Sequence, residues 1–355
     1  MATVTKSIGT TARDYTTMTL WEADLDDTGI YSSGDDAVGE CYNDSVFDET
    51  FTVDGGSTVG LASIRLSVAS GERHDGTAGN GARIVRTAAR VEVALESSVN
   101  TTMEWIEVDA NGNGDGSGFI NRATNDTTIQ RCILHGVERN GNVPGVSLGT
   151  ENGAAYIHNT IIYDFLCTES GTNYAYGIRA DNTGGGDVHQ IHNVTIYGIT
   201  NNNGSGPAYG VLNIDNVSKT YKNVVIAGTG GTSSGTIQDW AVSTDNNADC
   251  ATNASDDSTA PGAFAGEPIV AGTEFTSVAG GSEDFHLKTG AESIDAGTDI
   301  GTTPTGVNFD IDSRDRDAEG DTWDMGADEF VAEGEPLPPS ITSGPGGMLP
   351  LMGVG

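Results

Sequence analysis

Four eight-residue segments recur through the middle of this chain: IQRCILHG from Ile129, IHNTIIYD from Ile157, IHNVTIYG from Ile191 and YKNVVIAG from Tyr221. Their starts lie 28, 34 and 30 residues apart. A second series falls between them, each member after a turn: GVSLG from Gly145, GIRAD from Gly177 and GVLNI from Gly210, two of them led in by AYG at Ala175 and Ala208. A unit of about thirty residues with two short strands and Gly/Asn/Asp-rich turns cannot bury its apolar side alone. It must stack on copies of itself, as the coils of a β-solenoid do. The expected fold is all-β, a parallel β-helix.

Aligning the first series gives the columns. Its first position reads Ile129, Ile157, Ile191, Tyr221 and its sixth Leu134, Ile162, Ile196, Ile226, two ladders that should point inward. The third reads Arg131, Asn159, Asn193, Asn223, so stacked asparagine amides should bond from coil to coil, with Arg131 breaking the ladder at its first rung. Alternation along a strand then turns the fifth position (Ile133, Ile161, Thr195, Val225) outward, beside His135, Tyr163 and Tyr197. An outward apolar row of this kind is covered either by a loop or by a copy of the chain. Ile133, His135, Ile161, Tyr163, Tyr197 and Val225 are therefore the expected oligomer face. Eight to ten coils at ~4.8 Å would make a column on the order of 40–50 Å tall.

Composition narrows the partners. With 51 acidic against 16 basic residues the chain carries −35, which argues against a nucleic-acid backbone and against anionic membranes as partners. The N-terminus has no apolar signal-peptide core and no stretch is long enough for a membrane helix, so synthesis in a cytoplasm without a signal peptide is expected. Cys41, Cys132, Cys167 and Cys250 show no metal-type spacing and are expected to be free thiols.

The ends differ from the middle. Residues 1–36 read as a cap segment in which Met18, Leu20, Trp21 and Leu25 form a short amphipathic helix starting after Thr16 or Thr17, a lid on the first coil. The β-helix should span 37–259 and a closing module 260–331. Residues 332–355 read as a Pro/Gly linker bearing the apolar peptide Met348, Leu349, Leu351, Met352 and Val354.

Several stretches together carry a resemblance: KSIGTTARDYTTMTLWEADL, GECYNDSVF and ASGERHDGTAGNGARI near the start, then TNASDDSTAPGAFAG, DFHLKTGAESIDAGTDI and DIDSRDRDAEGDTWDMGADEF towards the end. Over Lys6 to Phe330 the chain resembles right-handed parallel β-helix proteins of tailed bacteriophages, marine ones in particular, and related bacterial surface proteins with a C-terminal module. The resemblance implies a virion structural protein, a homotrimeric β-helix serving as head decoration or as fibre or spike. Its apolar C-terminal peptide would dock on a capsid or tail protein. Alternatives from other classes are a tailspike depolymerase acting on host surface glycan and a non-catalytic glycan-binding adhesin.

The residues that could carry chemistry have simpler explanations. DANGNGDGSG (109–118) opens like a calcium loop, but Ile120 stands where the twelfth-position Glu belongs, so a turn is expected. Asp310, Asp312, Asp315, Asp317 and Asp321 could bridge calcium, yet Arg314 and Arg316 can balance them internally. Asp187, His189 and His192 are close in sequence, but His192 matches His158 and Lys222 in the repeat. Asp164, Asp181, Asp187 and Asp215 could flank a groove as a glycosidase pair, but in so acidic a chain some pair always would. No catalytic residue, cofactor ligand or metal ligand is assigned; a structural calcium ion is the one cofactor the acidic clusters leave open.

Overall fold

The computed structural model describes residues 2–87, 92–112, 118–121, 125–143, 145–148, 153–168, 170–180, 189–202, 204–213, 219–242, 249–319 and 322–332. It is a parallel β-solenoid of about seven turns, all-β with few helices, slightly fewer coils than the repeat length suggests. One ladder stacks Thr3–Ile8, Asp36–Cys41, Ser63–Val68, Thr101–Glu104, Thr127–Gln130, Ala155–Cys167, His189–Asn201, Lys219–Ala227 and Ala254–Ser255. A second stacks Arg83–Val85, Glu107–Asp109 and Ile133–Arg139 onto the later halves of the same long strands. The third, across the core, stacks Phe51–Val53, Glu92–Leu95, Gly118–Asn121, Val146–Leu148, Ala175–Arg179, Ala208–Asn213 and Ile237–Val242.

The repeat columns are realised in register. Ile129, Ile157, Ile191 and Tyr221 pair in sequence, as do Leu134, Ile162, Ile196 and Ile226, and all are buried. The third position is left-handed in all four segments, with φ of 49° at Arg131, 51° at Asn159, 52° at Asn193 and 56° at Asn223. The eighth is left-handed as well, at Gly136, Asp164, Gly198 and Gly228. Asn, Asp and Gly tolerate that conformation best, so the motif places its two bends where the backbone can make them. Between the bends lies a segment of four residues that faces the core at positions four and six.

The N-terminal cap forms as helix α1 (Met18–Ala23), whose Thr17 side chain accepts the Leu20 N–H at 3.1 Å. Met18, Trp21 and Leu25 are buried and plug the first coil, where Gly39 leaves room for the Trp21 ring. Leu20 does not join them; it is 52% exposed. Residues 3–8 are more than a lid, since they supply the first strand of the longest ladder. At the far end, side chains replace a further strand: the Asp239 and Trp240 N–H groups donate to Asp257 and Thr259. This satisfies part of an edge that would otherwise invite pairing.

The segment from Ile269 to Phe330 folds into a compact module: helix α2 (Ala271–Glu274), an antiparallel pair Phe275–Ser277 with Asp284–Leu287, and helix α3 (Arg316–Glu319). It does not close the end of the column as expected. It lies along the flank, with Phe275, Phe285, Leu287, Ile311, Met325 and Ala327 packed on Ile133, Ile161, Tyr163 and Val225.

Candidate functional site

The chemistry-bearing side chains collect where the module meets the solenoid. The asparagine ladder forms as expected: Asn193 Nδ2 donates to Asn159 Oδ1 at 3.1 Å and Asn223 Nδ2 to Asn193 Oδ1 at 2.9 Å, with Thr252 adding a hydroxyl at the next rung. The same amides also reach outward. Asn193 Nδ2 donates to the Val307 carbonyl at 2.9 Å, Asn159 Nδ2 to Gly306 at 3.0 Å and Asn223 Nδ2 to Thr298 at 2.9 Å. Arg131 breaks the ladder yet keeps the outward bond, its Nη2 donating to Gly306 at 2.7 Å. One column thus binds coil to coil and these four coils to the module.

The fifth-position row points outward as the alternation requires, but it is not an oligomer face. Ile133, Ile161, Tyr163 and Val225 are each no more than 3% exposed within a single chain. Phe285 packs against both Tyr163 and Tyr197, at 5.0 and 5.5 Å, and Gly326 sits on Thr195 and Val225. His135 stacks flat on Tyr163 at 4.6 Å. Four large apolar side chains covered this way contribute on the order of 6–12 kcal/mol of gross transfer energy, so the module takes the surface that a second copy would need. Tyr163 is buried with them, while Tyr197 stays partly exposed beside Phe285.

Of the carboxylates considered for glycan cleavage, Asp181, Asp187 and Asp215 lie outside the described residues. Asp164 sits at a left-handed bend, where burial and then the neighbouring Glu283 raise its pKa to about 6. His189 and His192 do not converge. His189 is in register with Lys219, whereas His192 lies in the column with His158 and Lys222. Burial and then Lys222 push the His192 pKa down to about 3. The 109–118 loop is described only to Gly112, where Asp109 accepts the Asn111 N–H as a turn would.

The aspartates of 310–317 are mostly structural acceptors. Asp310 takes N–H bonds from Asp312, Arg314 and Glu329, and Asp315 and Asp317 accept from Asn308 and from the Trp323 indole. Arg316, fully buried, pairs with Glu329 at 2.8 Å. Asp321 and the docking peptide Met348, Leu349, Leu351, Met352 and Val354 lie outside the described residues.

Among the described residues, two groups do place three ligand-type atoms together: Glu107, Asp109 and His135, and His286, Asp312 and Asp328. In the first, Glu107 is already bonded to His135 Nε2 at 3.0 Å and to the Gly79 N–H at 2.7 Å. In the second, His286 Nδ1 is held by Asp284 at 2.5 Å while Nε2 faces both Asp312 oxygens at 3.3 Å. Burial alone would lower the His286 pKa. The bond to Asp312 and the charges of Asp328 and Asp312 outweigh it and hold the value at about 10. No local spacing announces this group, because its members come from positions 284–328 and meet only through tertiary packing.

The opposite sheet carries an aromatic strip that the repeats alone do not single out. Tyr174 stacks on Tyr176 at 4.2 Å, and Tyr176 on Tyr209 at 5.7 Å. The strip ends at a shallow, open depression of about 660 Å³ lined by Tyr209, Leu212, Gln238, Trp240 and Thr259 among others. The repeated AYG lead-in is the signal that places Tyr176 over Tyr209.

No protein-family model, curated protein or solved structure matches this chain.

Proposed function

We propose that this chain is a non-enzymatic structural protein of a tailed-bacteriophage virion: a rigid β-solenoid shaft carried on the particle by its C-terminal apolar peptide. The observation that carries this reading is the employment of the polar side chains. Asp35, Asp44, Glu49, Asp26, Glu274, Asp310 and Asp324 each accept backbone N–H bonds at turns or between segments. Carboxylates employed as internal braces support a structural reading. An acidic surface around such a body suits a particle exposed to salt water, where screening limits self-repulsion. The resemblance over Lys6 to Phe330 supplies the phage assignment, and the sequence from 348 to 354 the attachment peptide. Burying four or five of those side chains in a capsid or tail pocket would give on the order of 5–10 kcal/mol gross, part of it offset by ordering the linker.

Mass spectrometry of purified particles, with antibody-gold microscopy to locate the chain on head or tail, tests this reading. Absence from the particle refutes it. Release of reducing ends from capsule or lipopolysaccharide would favour a depolymerase instead. A second reading, glycan binding without cleavage, draws on the Tyr174–Tyr176–Tyr209 strip and its terminal depression, where an aromatic face, an amide and a hydroxyl lie together. It predicts saturable sugar binding that Tyr209→Ala removes.

A further inference from the structure

We propose that His286, Asp312 and Asp328 bind one divalent transition-metal ion of the zinc class, which clamps the C-terminal module beside the solenoid loop at Gly76. The geometry around His286 is that of a metal-bound imidazole. Asp284 accepts the Nδ1 hydrogen bond at 2.5 Å, which aims Nε2 at two carboxylates. A carboxylate behind the ring and an ion in front of it is the usual arrangement of a histidine ligand.

The distances also suit an ion. Nε2 stands 3.3 Å from Asp312 Oδ1 and 3.3 Å from Oδ2, longer than a strong charge-assisted hydrogen bond of roughly 2.7–2.9 Å. Two ligands on one tetrahedral ion with bonds of ~2.0–2.1 Å lie about 3.3 Å apart. Asp328 completes the set. It is 3% exposed, and its Oδ1 has no hydrogen-bond partner, although it lies within 4.8 Å of the other two ligand atoms. Its other oxygen accepts the Leu287 N–H at 2.7 Å, which fixes the direction in which Oδ1 points.

The surroundings fit as well. Arg314 reaches Asp312 Oδ2 at 3.2 Å and Asp328 Oδ1 at 3.5 Å, gripping the carboxylates as an outer-shell cation. Gly76, at φ +84°, presses its backbone against the group, and a Cβ there would come within 2.6 Å of His286 Nε2 and 2.8 Å of Asp312 Oδ1. The donor set of one imidazole and two carboxylates suits zinc, cobalt or manganese better than calcium, which prefers oxygen alone. The ion replaces the proton on Nε2, and that proton leaves to solvent.

The test is titration of the full chain, freed of metal by chelator, with cobalt(II) followed by its visible d–d absorption, and with zinc chloride against a chromophoric chelator. One equivalent per chain is expected. His286→Gln and Asp328→Asn should abolish the cobalt spectrum, and Asp284→Asn should weaken zinc binding 10–100-fold. His135→Gln, in the other acidic group, should change neither. Should the variants fail to fold, the wild-type chain decides: zinc at a hundred times its Kd should raise the unfolding midpoint by about 3–4 °C. No stoichiometric cobalt or zinc, a spectrum that survives His286→Gln, or calcium binding alone would overturn the assignment.

Discussion

Asn193 is the rung on which the ladder and the module clamp both depend. Replacing it by alanine removes three hydrogen bonds: its donation to Asn159 at 3.1 Å, its donation to Val307 at 2.9 Å and its acceptance from Asn223 at 2.9 Å. At about 1 kcal/mol net each, these amount to roughly 3 kcal/mol. Alanine must also hold a φ of 52°, which costs about 1 kcal/mol more. The expected total is about 4 kcal/mol. For 355 residues the unfolding entropy is about 0.75 kcal/mol per degree, so the thermal midpoint should fall by about 5 °C. Asn193→Gly loses the same hydrogen bonds without the left-handed penalty and should recover about 0.5–1 kcal/mol of the loss. Urea denaturation of the three proteins measures both differences, and limited proteolysis of the native proteins should show the module released more readily in both variants. An alanine variant within about 1 kcal/mol of wild type, or a glycine variant less stable than the alanine one, would refute the bend-and-clamp argument.

Ile161→Ala, in the row beneath the module, should cost about 2–4 kcal/mol in urea unfolding without changing oligomeric state by light scattering, because the module and not a second copy covers that row. Stability should fall as the pH rises above about 6.5. Burial raises the carboxyls of Asp239 and Glu329 to about 8 and about 7, so the fold keeps protons that the unfolded chain releases from about pH 4 upward, and stability is lost as the pH rises towards those values. Buried His158 and His192 are held neutral, well below their unfolded pKa of about 6.5, so each loses the protein about 2 kcal/mol between pH 6.5 and pH 5. Urea midpoints across pH check this: Asp239→Asn should flatten the fall between pH 6.5 and 8, and His192→Gln should raise stability below pH 6 relative to wild type. Comparing the full chain with one ending at Val331 by light scattering should give the same particle size if the apolar peptide serves docking; trimers only with the peptide present would make it an assembly element instead.

Several features were readable residue by residue. The inward columns at positions one and six, the asparagine ladder and the cap helix beginning after Thr17 follow from periodicity and short-range chemistry. Those constraints are local or repeat at a fixed interval. The outward direction of Ile133, Ile161 and Val225 was readable for the same reason. What covers them was not, because the module that does so begins more than forty residues beyond Val225 and shares no repeat with the coils. The Tyr174–Tyr176–Tyr209 strip was half visible, in the AYG lead-in, while the depression at its end depends on where the last coil stops. Leu20 marks the opposite error: amphipathic spacing counted it inward, whereas the helix is only six residues long and turns that side to solvent.

The sequence by itself determined the solenoid, its register and its bends, since each coil repeats the same apolar positions and the same residues tolerant of positive φ. Tertiary structure alone decided that the module lies along the flank, that it takes the apolar face a second copy would have used, and that His286, Asp312 and Asp328 meet beside Gly76. A repeat specifies its contacts by translation along one axis. Contacts between the repeat and a segment outside it follow no such rule, and only the packing of the whole chain fixes them.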